Sequence, residues 1–219
     1  MPTEQVEPTD YFDAEQWRDI YDTRKGSSAF VFRRGIELVE DICSKISKPG
    51  QLWLDIGCGT GHLAAKLSQI GPLLIGIDHD PAMIDYANKR FLNKGSTDNL
   101  KFVTAGAYDL PFGEKTIDGV IATSLAGFLL SDDKFFQEIH RVLRDGGFAV
   151  ITFTNRTSLL LKMNRYIRKI IFKTDKLTGI NFPCRLYDYD DVAADFKKVG
   201  FKVVDIRYYN FFLNFGNRL

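Results

Sequence analysis

The sequence predicts an α/β fold: one doubly wound, Rossmann-like, mostly parallel sheet with helices on both faces. Three observations carry that expectation. Short apolar runs alternate with amphipathic stretches of about ten to fifteen residues, the rhythm of right-handed crossover units. A glycine-rich turn joins the first run to the next helix, and an acidic residue ends the second run. The 219 residues are 45% hydrophobic and 26% charged, ordinary for a globular chain and enough for one sizeable core.

The elements follow in order. Phe32, Ile36, Val39, Cys43 and Ile46 recur at steps of three and four, so 28–47 reads as a helix, stopped by Pro49 and Gly50. Residues 52–56 form a short buried strand, and the next helix carries Leu63, Leu67 and Ile70 up to Gly71. A second strand spans 73–77. Asp80 then caps a helix with Pro81 at its first position and Met83, Ile84, Ala87 and Phe91 as its stripe. Further strands fall at 100–103, 119–122 and 148–153. Between the last two, Ser131 or Asp132 caps a helix that turns Phe135, Ile139, Val142 and Leu143 inward and closes at Gly146-Gly147. Beyond Phe153 come a basic helix over 159–173, a loop over 174–187, a helix over 190–199 and a strand over 201–206. These form an insertion and the sheet's far edge. With no repeat, low-complexity tract or linker, 1–219 reads as one domain.

Charge and cysteines exclude several classes. A formal net charge of +1 sets up no global field toward nucleic acid, so any such affinity must be local. No apolar run approaches the ~20 residues of a membrane-spanning helix, and the polar, acidic first ten residues are unlike a targeting peptide. Cys43, Cys58 and Cys184 lack zinc or disulfide spacing, so no metal is expected and a reducing cytoplasm is the simplest location.

The string with chemical content is Asp55-Ile56-Gly57-Cys58-Gly59-Thr60-Gly61, at the handover from first strand to first helix. Glycines there allow a tight turn and remove the Cβ atoms that keep a ligand off the main chain. The alternative is a tight turn without a ligand. A dinucleotide site needs Gly-x-Gly-x-x-Gly, whereas here the third glycine comes one position early and His62 stands in its place. Asp55 suits a cationic ligand better than a pyrophosphate. Asp78, 21 residues after Gly57, stands at the usual offset for a carboxylate that accepts from ribose hydroxyls.

These residues resemble the class I S-adenosylmethionine-dependent methyltransferases of the small-molecule type. Residues 54–61 are similar to that family's first motif and 76–84 to its second. Asp109-Leu110-Pro111-Phe112 is similar to its loop near the adenine, and 138–147 to its helix and turn into strand five. The resemblance covers 50–153 and implies a cofactor-binding core there, with S-adenosylmethionine as cofactor and S-adenosylhomocysteine as product. It implies that Asp55 and the Gly57, Cys58, Gly59 and Gly61 loop lie against the methionine part. Asp78 would grip the ribose, His79 and Met83 would border the adenine, and the backbone near Ala107 and Tyr108 would meet its edge. Thr123 and Ser124 would face the methyl group. Two departures stand out: Gly106 replaces an acid that often accepts from the adenine amino group, and Gly127-Phe128 replaces histidines found after strand four in many relatives.

Methyl transfer from a sulfonium is an in-line displacement that demands alignment and a water-poor pocket rather than a metal or a covalent nucleophile. A base is needed only when the acceptor must lose a proton. His140 reads as structural, His62 as a cap or shield and His79 as a cofactor neighbour, so no catalytic base is assigned. Residues 1–30, with Tyr11 and Tyr21, form a lid over the cofactor or a helix on the sheet's edge. Residues 154–200 elaborate the acceptor side. There Leu159, Met163, Ile167 and Ile170 make an apolar stripe beside Lys162, Arg165, Arg168, Lys169 and Lys173, a pattern for peripheral contact with an anionic membrane. The bland alternative is a core-facing helix with a solvated basic face. The expected partner is a small-molecule, lipophilic acceptor and not nucleic acid. Non-catalytic cofactor binding and, less favoured by the glycine spacing, an NAD-dependent oxidoreductase stay open.

Overall fold

The computed structural model describes residues 27–91, 98–157 and 185–208. The expectations for most of the 1–30 lid, for the basic helix over 159–173 and for Cys184 lie outside them.

Five strands form one parallel sheet in the order β3-β2-β1-β4-β5. They are β1 (Leu52–Ile56), β2 (Leu73–Asp78), β3 (Leu100–Thr104), β4 (Ile117–Ala122) and β5 (Leu143–Ile151). The order reverses between β1 and β4, so the carboxyl ends of those strands open at the switch point where α/β sheets bind ligands. Alternation along β1 sends Trp53 to one face and Leu54 and Ile56 to the other. On the first face pack α1 (Ser27–Ile46), α2 (His62–Ser68) and α3 (Pro81–Phe91), through Val39, Cys43, Leu63, Leu67, Ile84 and Ala87. On the second pack α4 (Asp132–Val142) and α5 (Tyr189–Lys198), through Phe135, Phe136, Ile139 and Phe196.

Local signals set most of these boundaries. Asp80 accepts from the Ala82 amide at 2.8 Å and opens α3 at Pro81. Ser131 accepts from the Lys134 amide at 3.4 Å and opens α4. Two expectations need correcting. The helix expected to run to Gly146-Gly147 ends at Val142, because Leu143 is already extended and pairs with Ile117, so β5 starts there. Between that pair and Gly119↔Phe148 the register shifts, and 144–147 form a bulge with Gly146 at φ 76. The strand expected over 201–206 is also absent. Among the described residues, 201–208 have no ladder partner, and Val204 is 86% exposed.

Candidate functional site

The glycine loop after β1 is tied down by its neighbour strand. Ile77 O accepts from the Gly57 amide at 2.7 Å and from the Cys58 amide at 2.9 Å. Gly61 has φ 77, and a Cβ there would stand 2.6 Å from the Phe102 ring, so both its backbone and its space demand glycine. Gly57, at φ 71, leaves room for Leu125 from the loop after β4, whose side chain would lie 2.9 Å from an added Cβ. The loops after β1 and β4 therefore close on each other.

Two carboxylates end adjacent strands in unlike states. Asp78 Oδ2 accepts from the Gly59 amide at 2.8 Å and Oδ1 from the Asp80 amide at 3.0 Å, with His79 Nδ1 at 3.4 Å from Oδ1. Asp55 is 1% exposed, and neither of its oxygens has a hydrogen-bond partner. Burial raises its pKa to about 7, and the charge of Asp78 adds to the rise. The Ala64 amide, short of hydrogen-bond geometry, works the other way. Burial also pushes the Cys58 thiol well up, and that of Cys43 up to about 12, so both are neutral thiols.

Asp55, Gly57, Cys58 and Thr123 share a cavity of about 20 Å³ with Thr60 and His62. That is room for about one water molecule. His62 Nε2 lies 3.2 Å from Arg90 and Nδ1 lies 3.4 Å from Thr60 Oγ1. At the end of β4, Ser124 adopts φ 56 and donates its amide to Thr152 Oγ1 at 2.8 Å. His140, an exposed residue of α4, stands edge-on to Phe201 and away from this cavity.

The remaining expected residues lie outward from the cavity. Met83 is buried in the first turn of α3, and the His79 side chain is 54% exposed. Ala107 and Tyr108 pack on the second face, in the loop after β3, and Tyr108 Oη accepts from the Ser131 amide at 3.0 Å. That loop is joined to Asp78 itself, because the Ala105 amide donates to Asp78 O at 3.0 Å. Sequence reasoning missed a clamp on the turn after β4. Arg185 Nη1 bonds Asp132, its Nη2 reaches Leu129 O at 3.2 Å, and Tyr187 Oη lies 2.8 Å from Ala126 O and 3.0 Å from Asp132 Oδ1. No local pattern signals contacts across more than fifty positions of chain.

A family model described as a methyltransferase domain matches residues 54–151. The chain is 29% identical over 165 residues to a sterol 4-C-methyltransferase of Caenorhabditis elegans, covering 75% of this chain and 48% of that protein. It is 31% identical over 116 residues to a ubiquinone/menaquinone biosynthesis C-methyltransferase of Coxiella burnetii, covering 51% and 46%. Among solved structures, magnesium protoporphyrin IX methyltransferase of Synechocystis PCC 6803 with bound S-adenosylhomocysteine superposes with a TM-score of 0.70 at 19% identity, covering 87% of this chain and 85% of that one. Residues 54–151 thus match a methyltransferase domain, and the fold is that of the class I methyltransferases. It spans about half the length of the curated relatives it matches.

The cofactor of this methyltransferase family couples a cationic amino-acid end to an adenosine, and the residues present fit both parts. An unpartnered buried carboxylate is costly by itself and is relieved by a cation. Asp78 uses about three of the four acceptor positions of a carboxylate, which leaves capacity for a hydroxyl.

Proposed function

We propose that this methyltransferase moves a methyl group from S-adenosylmethionine to a small, lipophilic acceptor and releases S-adenosylhomocysteine. The observation that carries the reading is Asp55, a wholly buried carboxylate with no partner beside a bare glycine loop. When bound, the cofactor supplies an electrophilic methyl on a sulfonium that leaves as a neutral thioether. Asp55 meets its cationic end, and the Gly57, Cys58, Gly59 and Gly61 loop lies along the methionine part. Asp78 accepts from the ribose. Because β3 lies outside β2, a ligand anchored at Asp55 and Asp78 extends toward the loop after β3. His79 and Met83 border the base there, and the backbone of Ala107 and Tyr108 meets its edge. Thr123 and Ser124 close the acceptor side, where Leu125 packs over Gly57.

The domain plan follows: 50–153 bind the cofactor, 1–30 cover it and 154–200 shape the acceptor site. Relatives named for sterol and quinone methylation support a lipophilic acceptor. Among the described residues no helix is long and apolar enough to cross a membrane. We assign the protein to the cytoplasm on its scattered cysteines, with 159–173 as a peripheral contact on anionic lipid. Sedimentation with anionic vesicles tests that contact: binding that weakens with salt supports it, and protein left in the supernatant at low salt removes it.

Binding without turnover is the second reading. It is favoured by the engagement of His62 with Arg90 and Thr60, which leaves no histidine base at the cavity among the described residues. The test of the leading reading is incubation with methyl-labelled cofactor and a lipid extract, read by mass spectrometry, beside calorimetry with S-adenosylhomocysteine. A labelled product establishes transfer. Tight binding with no product on any acceptor favours the second reading, and no binding ends both.

A further inference from the structure

The loop that would receive the base has little structure of its own. Residues 105–113 belong to no helix or strand, and their internal backbone bonds are a long one from the Asp109 amide to Gly106 O, 3.4 Å, and one from the Phe112 amide to Leu110 O, 2.7 Å. What holds the main chain is a pair of side chains on α4. Glu138 Oε1 accepts from the Leu110 amide at 2.7 Å. Arg141 donates to Phe112 O at 2.9 Å and to Leu110 O at 3.1 Å. The pair is itself bidentate, with Nε to Oε2 at 2.8 Å and Nη2 to Oε1 at 2.7 Å. The Arg141 guanidinium holds Glu138 below the usual carboxylate range, so the pair stays ionised.

Gly106 gives this arrangement its consequence. Space around it is open, with nothing within 4 Å of an added Cβ, yet no side chain is there to accept from an exocyclic amino group. Recognition of the base then falls to main-chain groups of 106–108, which are only as selective as the loop is well placed. We infer that Glu138 and Arg141 are positioning residues for adenine selectivity: they touch no ligand, but fix the backbone that distinguishes adenine from other bases. The inference rests on the proposed cofactor site.

The experiment compares S-adenosylhomocysteine with S-inosylhomocysteine, which has an oxo group in place of the amino group and a protonated N1. Calorimetry on the wild type should show a preference of about tenfold or more for the adenine ligand, one well-made hydrogen bond. In Arg141→Gln and Arg141→Lys the preference should shrink to about threefold or less, because neither side chain reproduces a guanidinium fork that serves two carbonyls. A merely structural role would lower both affinities together and leave their ratio alone. Glu138→Gln keeps an acceptor for Leu110 and should retain more of the preference than Arg141→Gln. Where Arg141→Gln does not fold, Arg141→Lys and faster hydrogen exchange of 105–113 in Glu138→Gln carry the test. An unchanged ratio in folded variants, or no preference in the wild type, overturns the inference. A wild type that binds neither ligand overturns the cofactor site instead.

Discussion

The two halves of the sheet's carboxyl edge are built on opposite plans. After β1 and β2 the chain is held by groups of its own strand-helix-strand unit, Ile77 O and the Asp78 carboxylate, and leaves Asp55 buried without a partner. After β4, side chains from more than fifty residues away close the turn, with Arg185, Tyr187 and Asp132 bonded to one another and to the carbonyls of Ala126 and Leu129. Burying an unmet charge is expensive, whereas a closed network stabilises the shape it holds. The first half therefore keeps interaction capacity for a ligand, and the second spends its polar groups on geometry. Substitutions in the two halves should differ in kind, affinity in one and stability in the other.

The largest effect is expected at the residue that serves both purposes. Asp78→Ala removes the acceptor for the Gly59 and Asp80 amides and the proposed ribose contacts. Affinity for S-adenosylhomocysteine should fall by about a hundredfold or more, and stability by about 1 to 3 kcal/mol for the stranded Gly59 amide. Calorimetry and denaturant unfolding read the two effects. Unchanged affinity would place the ligand elsewhere.

Asp55→Asn separates them. In the wild type the unfolded carboxyl ionises near 3.8 and the folded one near 7, so between these values the folded chain holds the extra proton. Its contribution to stability is therefore present below about pH 4 and is lost as pH rises toward about 7. Asp55→Asn should flatten that slope, gain about 1 to 3 kcal/mol at pH 8 and lose about tenfold or more in S-adenosylhomocysteine affinity. A cationic ligand end favours the carboxylate, so wild-type affinity should rise with pH up to about 7 and binding should release a proton. Calorimetry in two buffers of different ionisation heat measures that proton. Loss of both stability and affinity in Asp55→Asn would mean that the carboxylate is a structural group.

The same contrast decides what could be read in the sequence. The half after β1 and β2 is written locally: Asp55, the glycine triplet and Asp78 lie within one strand-helix-strand unit, and the pattern predicted that unit. Cys58, Gly57 and Thr123 do line the cavity with Asp55, and Thr60 and His62 join them because α2 begins at His62. The half after β4 is non-local. Tyr187 sat in what reads as loop, and its bridge to Asn155 exists only once β5 is in place. The start of β5 was hidden for the same reason: the apolar spacing through Leu143 continues a helix, while pairing with Ile117 draws Leu143 into the sheet. Val203, Val204 and Ile206 have strand composition, but a strand also needs a neighbour to pair with.

Tyr187→Phe probes the half after β4. One phenolic proton is shared between Ala126 O and Asp132 Oδ1, so its loss should cost about 1 to 2 kcal/mol of stability. Affinity for S-adenosylhomocysteine should change by less than about twofold, since the clamp touches none of the proposed cofactor contacts. A tenfold loss of affinity in a folded protein would show that the halves are coupled and that the division between them is wrong.

The smallest effect is expected at Ser124, where the turn after β4 stores strain. A serine at φ 56 occupies the left-handed region, which costs a residue with a Cβ about 1 kcal/mol. The conformation persists because the Ser124 amide donates to Thr152 Oγ1, an interaction of the main chain that Ser124→Gly keeps. Glycine removes the strain but also gives the unfolded chain more freedom, so the net gain in stability should stay near 0.5 kcal/mol. Affinity for the product should be unaltered. Turnover should fall by about threefold, because Thr123, which lines the cavity beside Asp55, then follows from a backbone with more accessible conformations. Thermal unfolding and the labelled-methyl assay measure the pair of effects. A stability loss above about 1 kcal/mol would show that the serine hydroxyl, and not the strained backbone, holds the end of β4.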